Sequence, residues 1–555
     1  MLGGKRFWVV IVLLWGCAYL PGLGTRDLRL EEGRRATPAR EMVAGGDWLV
    51  PRIYGDVYLS KPPGYFWLVA AVGYVHGQVD AWATRIPSAV SVLISALIAL
   101  GFARRDLSKE ARGLAALMIL SVPAMLDKGT LGEIDALLSM LVLAGMSVFY
   151  EGYTSPRRGG LFGGMFWGWM GFGAIGGVMV ILKGPGGPLE LAGPIVCFLI
   201  WEKQWRMLLS PGVVVGMVLA LLPTGVWVWL LESQGHYDLA TIWANQVGLD
   251  TAARVAKTGV DDDNVSLVVR YLWHFPRDIV GMTLPWVVWA GLALVPRQAR
   301  ETKIPVRLWR FLFCSSVVMV LPFYVWPAAH GRHVMAIVYG VCILAAAYLV
   351  GDQEREHPAW SKRLLTVLSL LLAAVPMAAG VAAVGLALRI YPAGLATASL
   401  LLIVGMLGSG MLTRLVQRVA VAPATVGVVF AAVLAIAIVS GRAVVGAVVL
   451  PWKAASDETR LAAVEMARLI PPGSEIYTLE TFGREGAGSY YNIQFYAGAT
   501  LKALHNAEEL PQGRAVLVLG TAREIAGLVG VEKTAVGVLP TDKKKPALEV
   551  VRVRR

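Results

Sequence analysis

Apolar runs long enough to cross a bilayer recur from residue 7 to residue 450, separated by polar loops and nearly free of internal charge. In lipid, a backbone satisfies its own hydrogen bonds only as a helix or a closed barrel, and runs of about 17 to 25 residues fit helices. The runs fall at 7–23, 86–103, 112–126, 134–150, 165–182, 188–201, 209–231, 279–295, 308–327, 333–350, 364–388, 395–412 and 424–450. The expected fold class is a polytopic α-helical membrane protein with about thirteen transmembrane helices. Composition agrees, since 56% of residues are hydrophobic, 16% are charged and mean hydropathy is +0.60. Two shorter pieces read differently. Residues 65–77, following Pro62-Pro63, form an interfacial or re-entrant helix, and 36–43 a short amphipathic helix along the surface.

Charge sets the topology. Arg104, Arg105 and Lys109, then Arg157 and Arg158, Lys203 and Arg206, Arg297 to Arg307, Lys362 and Arg363, and Arg414 and Arg418 all fall in loops after even-numbered spans, which places those loops in the cytoplasm. The first span then reads as an uncleaved anchor with its N-terminus inside. The net charge of +13 is spread along membrane-flanking loops, where it orients helices and meets anionic lipid, so nucleic acid is not an expected partner.

After residue 450 the pattern changes. Residues 456–469 and 521–528 read as helices, and 475–479, 515–519 and 547–553 as strands. A membrane domain over 1–450 is thus followed by an extracytoplasmic α/β domain over 451–555. The glycine-rich 483–488 is a loop.

The external loop 24–85 breaks the charge rule, because Arg26, Arg29, Arg34, Arg35, Arg40, Arg52 and Lys61 lie on the side where such charge is disfavoured. Either an anionic partner or interfacial lipid phosphate accounts for them. In the same loop, a carboxylate of the pair Glu31-Glu32 at a membrane surface can have its pKa raised by desolvation and act as a general base, while its neighbour serves as a structural partner for Arg34 or Arg40. A solvated acidic pair is the plainer alternative. Lys61 precedes two prolines, which hold it in extended backbone as a fixed point charge for a phosphate, though snorkelling lysines are common at membrane edges.

Further along, Asp135 opens an apolar helix, where an acid faces a partner or a cavity, or simply caps the helix. Lys183-Gly184-Pro185 could open backbone amides toward an anion or be a plain turn. Arg332 could clasp a phosphate through two N–H groups, with His333 beside it at a helix start. The four cysteines and seven histidines show no metal-ligand spacing, so no metal site and no cofactor are expected.

Taken in order, these residues resemble the GT-C superfamily of lipid-linked sugar transferases, in the branch of aminoarabinose transferases and protein mannosyltransferases. The resemblance rests on Glu31-Glu32-Gly33-Arg34-Arg35-Ala36, Ala39-Arg40-Glu41-Met42, Gly46-Asp47-Trp48, Tyr58 ahead of Lys61-Pro62-Pro63, and Ala83-Thr84-Arg85-Ile86-Pro87-Ser88-Ala89. Ile134-Asp135, Lys183-Gly184-Pro185 and Arg332-His333 extend it to about residue 350. It implies a metal-independent, inverting glycosyltransferase of the bacterial inner membrane with an external active site. The donor would be a polyprenyl-phosphate sugar and the acceptor a lipid A-like lipid or a protein. On this reading Glu31 or Glu32 is the base, and Lys61, Arg332, Lys183 and Arg34 hold the donor phosphate. Asp135, Arg40, Tyr58 and His333 support them, with Asp135 orienting Lys61 or an arginine. Three positions depart from the family pattern: Glu31 stands for aspartate, Arg35 for tyrosine, and Ser60 for the glutamate that precedes the Lys-Pro-Pro turn in aminoarabinose transferases. Protein O-mannosyl transfer and a lipid-linked sugar transporter are the alternatives. A transporter would keep its polar groups near mid-membrane.

Overall fold

The computed structural model describes residues 4, 6–156, 163–235, 273, 275–321, 334–354, 358–420, 425–454, 457–471, 473–479, 488–496, 500–539 and 547–555. Among these, seven helices are long and apolar enough to cross a membrane: Ala81–Gly101, Ile134–Tyr153, Gly164–Lys183, Pro211–Ser233, Ala359–Ile390, Pro392–Val419 and Val426–Leu469. Phe7–Tyr19, Gly186–Trp201 and Ile337–Gly351 are apolar but shorter.

In chain order the first ten helices are α1 (Phe7–Tyr19), α2 (Gly33–Gly45), α3 (Gly64–His76), α4 (Ala81–Gly101), α5 (Lys109–Ser121), α6 (Pro123–Lys128), α7 (Ile134–Tyr153), α8 (Gly164–Lys183), α9 (Gly186–Trp201) and α10 (Pro211–Ser233). The α10 window is buried over only 11% of its residues. Leu221, Leu222 and Trp229 point outward there, as expected of a helix facing hydrocarbon rather than protein. Ile337–Gly351, by contrast, is buried along nearly its whole length and forms the centre of the bundle.

Several apolar runs are not single helices. The run 112–126 breaks between Ser121 and Pro123, because proline lacks the amide to continue the ladder and starts a new helix at its first position. The run 279–295 is likewise divided into Phe275–Thr283 and Val287–Leu294. Hydropathy alone cannot register such breaks, because it counts apolar residues without regard to backbone continuity.

Helix α3 is a 13-residue helix at the place where the short helix was expected. Helix α2 corrects the expectation for 36–43: it is longer, and Arg35, Ala36, Thr37, Pro38, Ala39 and Met42 are buried, so it is sandwiched between elements rather than laid along the surface. It ends at Gly46, whose φ of +73° a side chain would disfavour.

The C-terminal part carries a five-stranded mixed sheet: β3 (Glu475–Leu479), β4 (Thr500–Leu504), β5 (Ala515–Thr521), β6 (Glu532–Leu539) and β7 (Leu548–Arg554), in the order β4-β3-β5-β7-β6. Strands β3, β4 and β5 are parallel, and β7 runs antiparallel to β5 and β6. The pair β1 (Arg52–Ile53) and β2 (Asp56–Val57) forms a small hairpin in the loop after α2. Strands β4 and β6 escaped sequence reading because Lys502 and Lys533 interrupt short apolar runs. The helix Gly488–Phe495 docks on α2. Asn492 Oδ1 accepts from Gly33 N at 2.7 Å, and Asn492 Nδ2 donates to the Leu30 carbonyl at 3.1 Å. A Cβ on Gly33 would lie 2.7 Å from the Tyr491 carbonyl carbon, so glycine permits this approach.

Candidate active site

Adjacent residues on a helix start point in different directions, and this separates Glu31 from Glu32. Glu32 is fully buried. Its carboxylate accepts from Arg85 Nε at 2.7 Å, Arg85 Nη2 at 2.8 Å, Gly132 N at 2.6 Å and Arg29 N at 2.9 Å. Burial pushes its pKa up, but the Arg85 charge and these hydrogen bonds outweigh burial and hold it below the usual carboxylate range. Arg85 spends its remaining donors on the carbonyls of Leu23, Arg26 and Asp27. The pair therefore ties α4, the loop after α1 and the turn before α7 into one block.

Glu31 sits on the other side. Its side chain keeps 31% of its surface, and Oε2 lies 3.2 Å from Arg34 Nη1. Arg34 lies over the Tyr491 ring at 5.5 Å. Burial works against the Arg34 charge, yet Tyr58, Glu31 and Tyr491 around it hold its pKa above the ordinary value. Tyr58 packs on Phe66 at 6.0 Å and follows the β1–β2 hairpin. Lys61 lies three residues further on, at the head of α3, half-buried.

Arg35 is buried, and its Nε and Nη1 find no hydrogen-bond acceptor among the described residues. It lies within electrostatic reach of Tyr65, whose hydroxyl is 3.2 Å from Ser88 Oγ. Sequence reading noted Arg35 as one of the loop's arginines and as a departure from tyrosine. A lone arginine in a run of arginines gives no sign that it is the buried one.

Asp135 and Lys183 come together, at 3.7 Å, and Glu190 closes on the same lysine at 3.5 Å. Lys183 is thus a partner of Asp135. Glu190 was not foreseen, because a single acid in an apolar run gives no hint of the lysine it meets. The α3 head abuts this group: a Cβ on Gly64 would lie 2.6 Å from the Ile181 carbonyl oxygen. Arg40 donates to the Phe495 carbonyl at 2.6 Å and stacks on that ring at 4.1 Å. Its surroundings are those of a docking residue. Arg332 and His333 lie outside the described residues.

The arrangement offers an accessible carboxylate held by an arginine, with a buried arginine bearing unused donors next in the chain and a half-buried lysine after Tyr58. Such a site can take a proton from a hydroxyl and stabilise an anionic leaving group.

Comparison with known proteins follows the same line. Residues 60–229 match the family described as dolichyl-phosphate-mannose-protein mannosyltransferase. The chain is 26% identical over 360 residues to an undecaprenyl phosphate-alpha-4-amino-4-deoxy-L-arabinose arabinosyl transferase of Edwardsiella ictaluri, covering 62% of this chain and 59% of that one. It is 28% identical over 379 residues to the protein of the same description from Aeromonas hydrophila, covering 64% and 63%. The match thus spans about three fifths of the length of these relatives. Among solved structures, ArnT from Cupriavidus metallidurans bound to undecaprenyl phosphate superposes with a TM-score of 0.66 at 18% identity, covering 98% of this chain and 97% of that one.

Proposed function

We propose that this chain, which has the GT-C fold and is similar in sequence to the aminoarabinose transferases, is a glycosyltransferase that moves a sugar from a polyprenyl-phosphate donor to an acceptor hydroxyl on a lipid A-like lipid. About thirteen crossings would place the 24–85 loop and the C-terminal α/β unit on the external face of a bacterial inner membrane. The observation that carries the mechanism is the division of labour in the acidic pair. All four hydrogen bonds to Glu32 are internal, whereas Glu31 stays accessible beside Arg34.

In the reaction, the acceptor oxygen attacks the anomeric carbon and the bond from that carbon to the phosphate oxygen breaks. The hydroxyl proton passes to Glu31, and polyprenyl phosphate leaves with the bonding pair. A leaving phosphate gains negative charge in the transition state, so cations fixed in advance lower the barrier without reorganising. Lys61, Arg34 and Arg35 fill that role. The two unused N–H groups of Arg35 suit phosphate oxygens, because a buried guanidinium needs acceptors and phosphate supplies them in matching geometry. Lys183, held between Asp135 and Glu190, forms the back wall of the site. Tyr58 flanks Arg34. The positive charge required is supplied by side chains, so transfer should proceed without a divalent ion. Ser60 leaves the identity of the sugar open, since it lacks the carboxylate that aminoarabinose transferases carry there.

The test is transfer of radiolabelled sugar from polyprenyl-phosphate donors to lipid A by the purified protein with a chelator present. Chelator-resistant turnover is expected, lost in Glu31→Gln and Lys61→Ala, with donor binding kept in Glu31→Gln. Donor binding without turnover on any acceptor, and indifferent to both variants, would overturn the assignment in favour of a carrier.

A further inference from the structure

Next to the Glu32–Arg85 pair, the loop after α1 borders a small open cleft, of about 10 Å3, lined by Arg26, Arg29, Arg85, Arg442 and Thr130. Four guanidinium groups at one cleft demand an account of their charge. Arg26 is paired with Asp457 at 2.6 Å and Arg85 with Glu32 at 2.7 Å. Arg29 makes no side-chain hydrogen bond or ion pair among the described residues, although burial, chiefly, and then Arg26 lower its pKa. Arg442 donates to Thr130 Oγ1 at 3.1 Å and to the Leu126 carbonyl at 3.4 Å, while its Nη1 is buried with no acceptor.

Of the acids nearby, Glu32 acts on Arg29 but is already paired with Arg85. Asp127 is exposed and makes no ion pair among the described residues, though it lies within electrostatic range of both Arg29 and Arg442. Asp27 faces Arg460, Arg85 and Arg26 instead. Like charges crowded in a partly dry cleft repel strongly unless an anion joins them. The cleft is lined from the loop after α1 and from Arg442 on the helix Val426–Val444, and basic sites beside apolar helices are where lipid headgroups bind.

We propose that this cleft is an oxyanion site, separate from the sugar-transfer site, in which Arg29 and Arg442 bind a phosphate group. A membrane phospholipid headgroup and free phosphate share that chemistry. The inference does not rest on the transferase reading, since that reading does not use Arg29 or Arg442.

The experiment uses the full chain, purified in detergent and in nanodiscs, and its melting temperature as the readout. The variants are Arg29→Gln, Arg29→Lys and Arg442→Gln. Arg29 bonds nothing through its side chain, so Arg29→Gln is expected to fold even if Arg442→Gln does not. Inorganic phosphate, or phosphatidylglycerol against phosphatidylcholine nanodiscs, should raise the melting temperature of the wild type. The shift should fall at least severalfold in Arg29→Gln and be largely restored in Arg29→Lys. A response to phosphatidylglycerol that inorganic phosphate does not reproduce assigns the site to a lipid headgroup, and the reverse assigns it to free phosphate. No shift with either probe, or equal shifts in wild type and Arg29→Gln, would overturn the proposal.

Discussion

Replacing Glu32 by glutamine tests the separation of the two acids most directly. The substitution keeps the shape of the side chain but removes the charge, and its new NH2 faces two of the four donors, each of which needs an acceptor. Arg85, with 3% of its side chain exposed, is left as a buried charge without its counterion. Removing one partner of such a pair costs roughly 3–5 kcal/mol. Gly132 N and Arg29 N bond different oxygens, so whichever way the amide is turned one backbone donor loses its acceptor. Thermal unfolding in detergent, followed by loss of monodisperse protein on size exclusion, should show a marked drop for Glu32→Gln. The double variant Glu32→Gln with Arg85→Met, which removes both charges, should recover a substantial part of it. Glu31→Gln should leave the melting point close to wild type and abolish transfer. A Glu32→Gln protein that melts like wild type yet fails to transfer sugar would refute the reasoning and make Glu32 the base.

Further outcomes follow from the same geometry. Because the folded-state pKa of Glu32 is depressed, its contribution to stability is present above the ordinary carboxylate range and is lost as pH falls through that range and below it; melting temperatures measured from pH 7 down to pH 3 should fall less steeply in Glu32→Gln than in wild type. Arg35→Tyr, which removes unsatisfied buried donors, should raise the melting temperature of donor-free protein while weakening polyprenyl-phosphate binding by about tenfold, or 1.4 kcal/mol, as read by titration. Gly33→Ala sets a methyl against the Tyr491–Asn492 backbone, so limited proteolysis should release the C-terminal part faster and turnover should drop with it. Asn492→Ala loses two hydrogen bonds to the start of α2, leaves the Gly33 amide unsatisfied, and should destabilise by about 1–3 kcal/mol in the same melting assay.

Much of the helical fold was legible because hydropathy and length are local properties. Strand β3 was read at its full extent, since Ile476, Tyr477 and Leu479 form a compact buried run. The residue types of the candidate site were legible too, but their pairings were not. Arg85 stands 53 positions from Glu32, and nothing local distinguishes which acid of the pair it meets. Lys183 with Asp135 and Glu190 shows the same limit, because the meeting of α7, α8 and α9 is a product of packing. Arg29 and Arg442 lie still further apart, and only the folded chain brings them to one cleft.

The bond from Gly33 to Asn492 joins positions 459 residues apart. Growth of the chain is directional, so α2 emerges from the ribosome early and must wait for nearly the whole polypeptide before its last neighbour arrives. Until then the acidic pair and its arginines stand at the membrane surface without the wall that Tyr491 and Asn492 supply. A half-made chain would therefore lack a finished candidate site, and the first loop to be made would be among the last to mature.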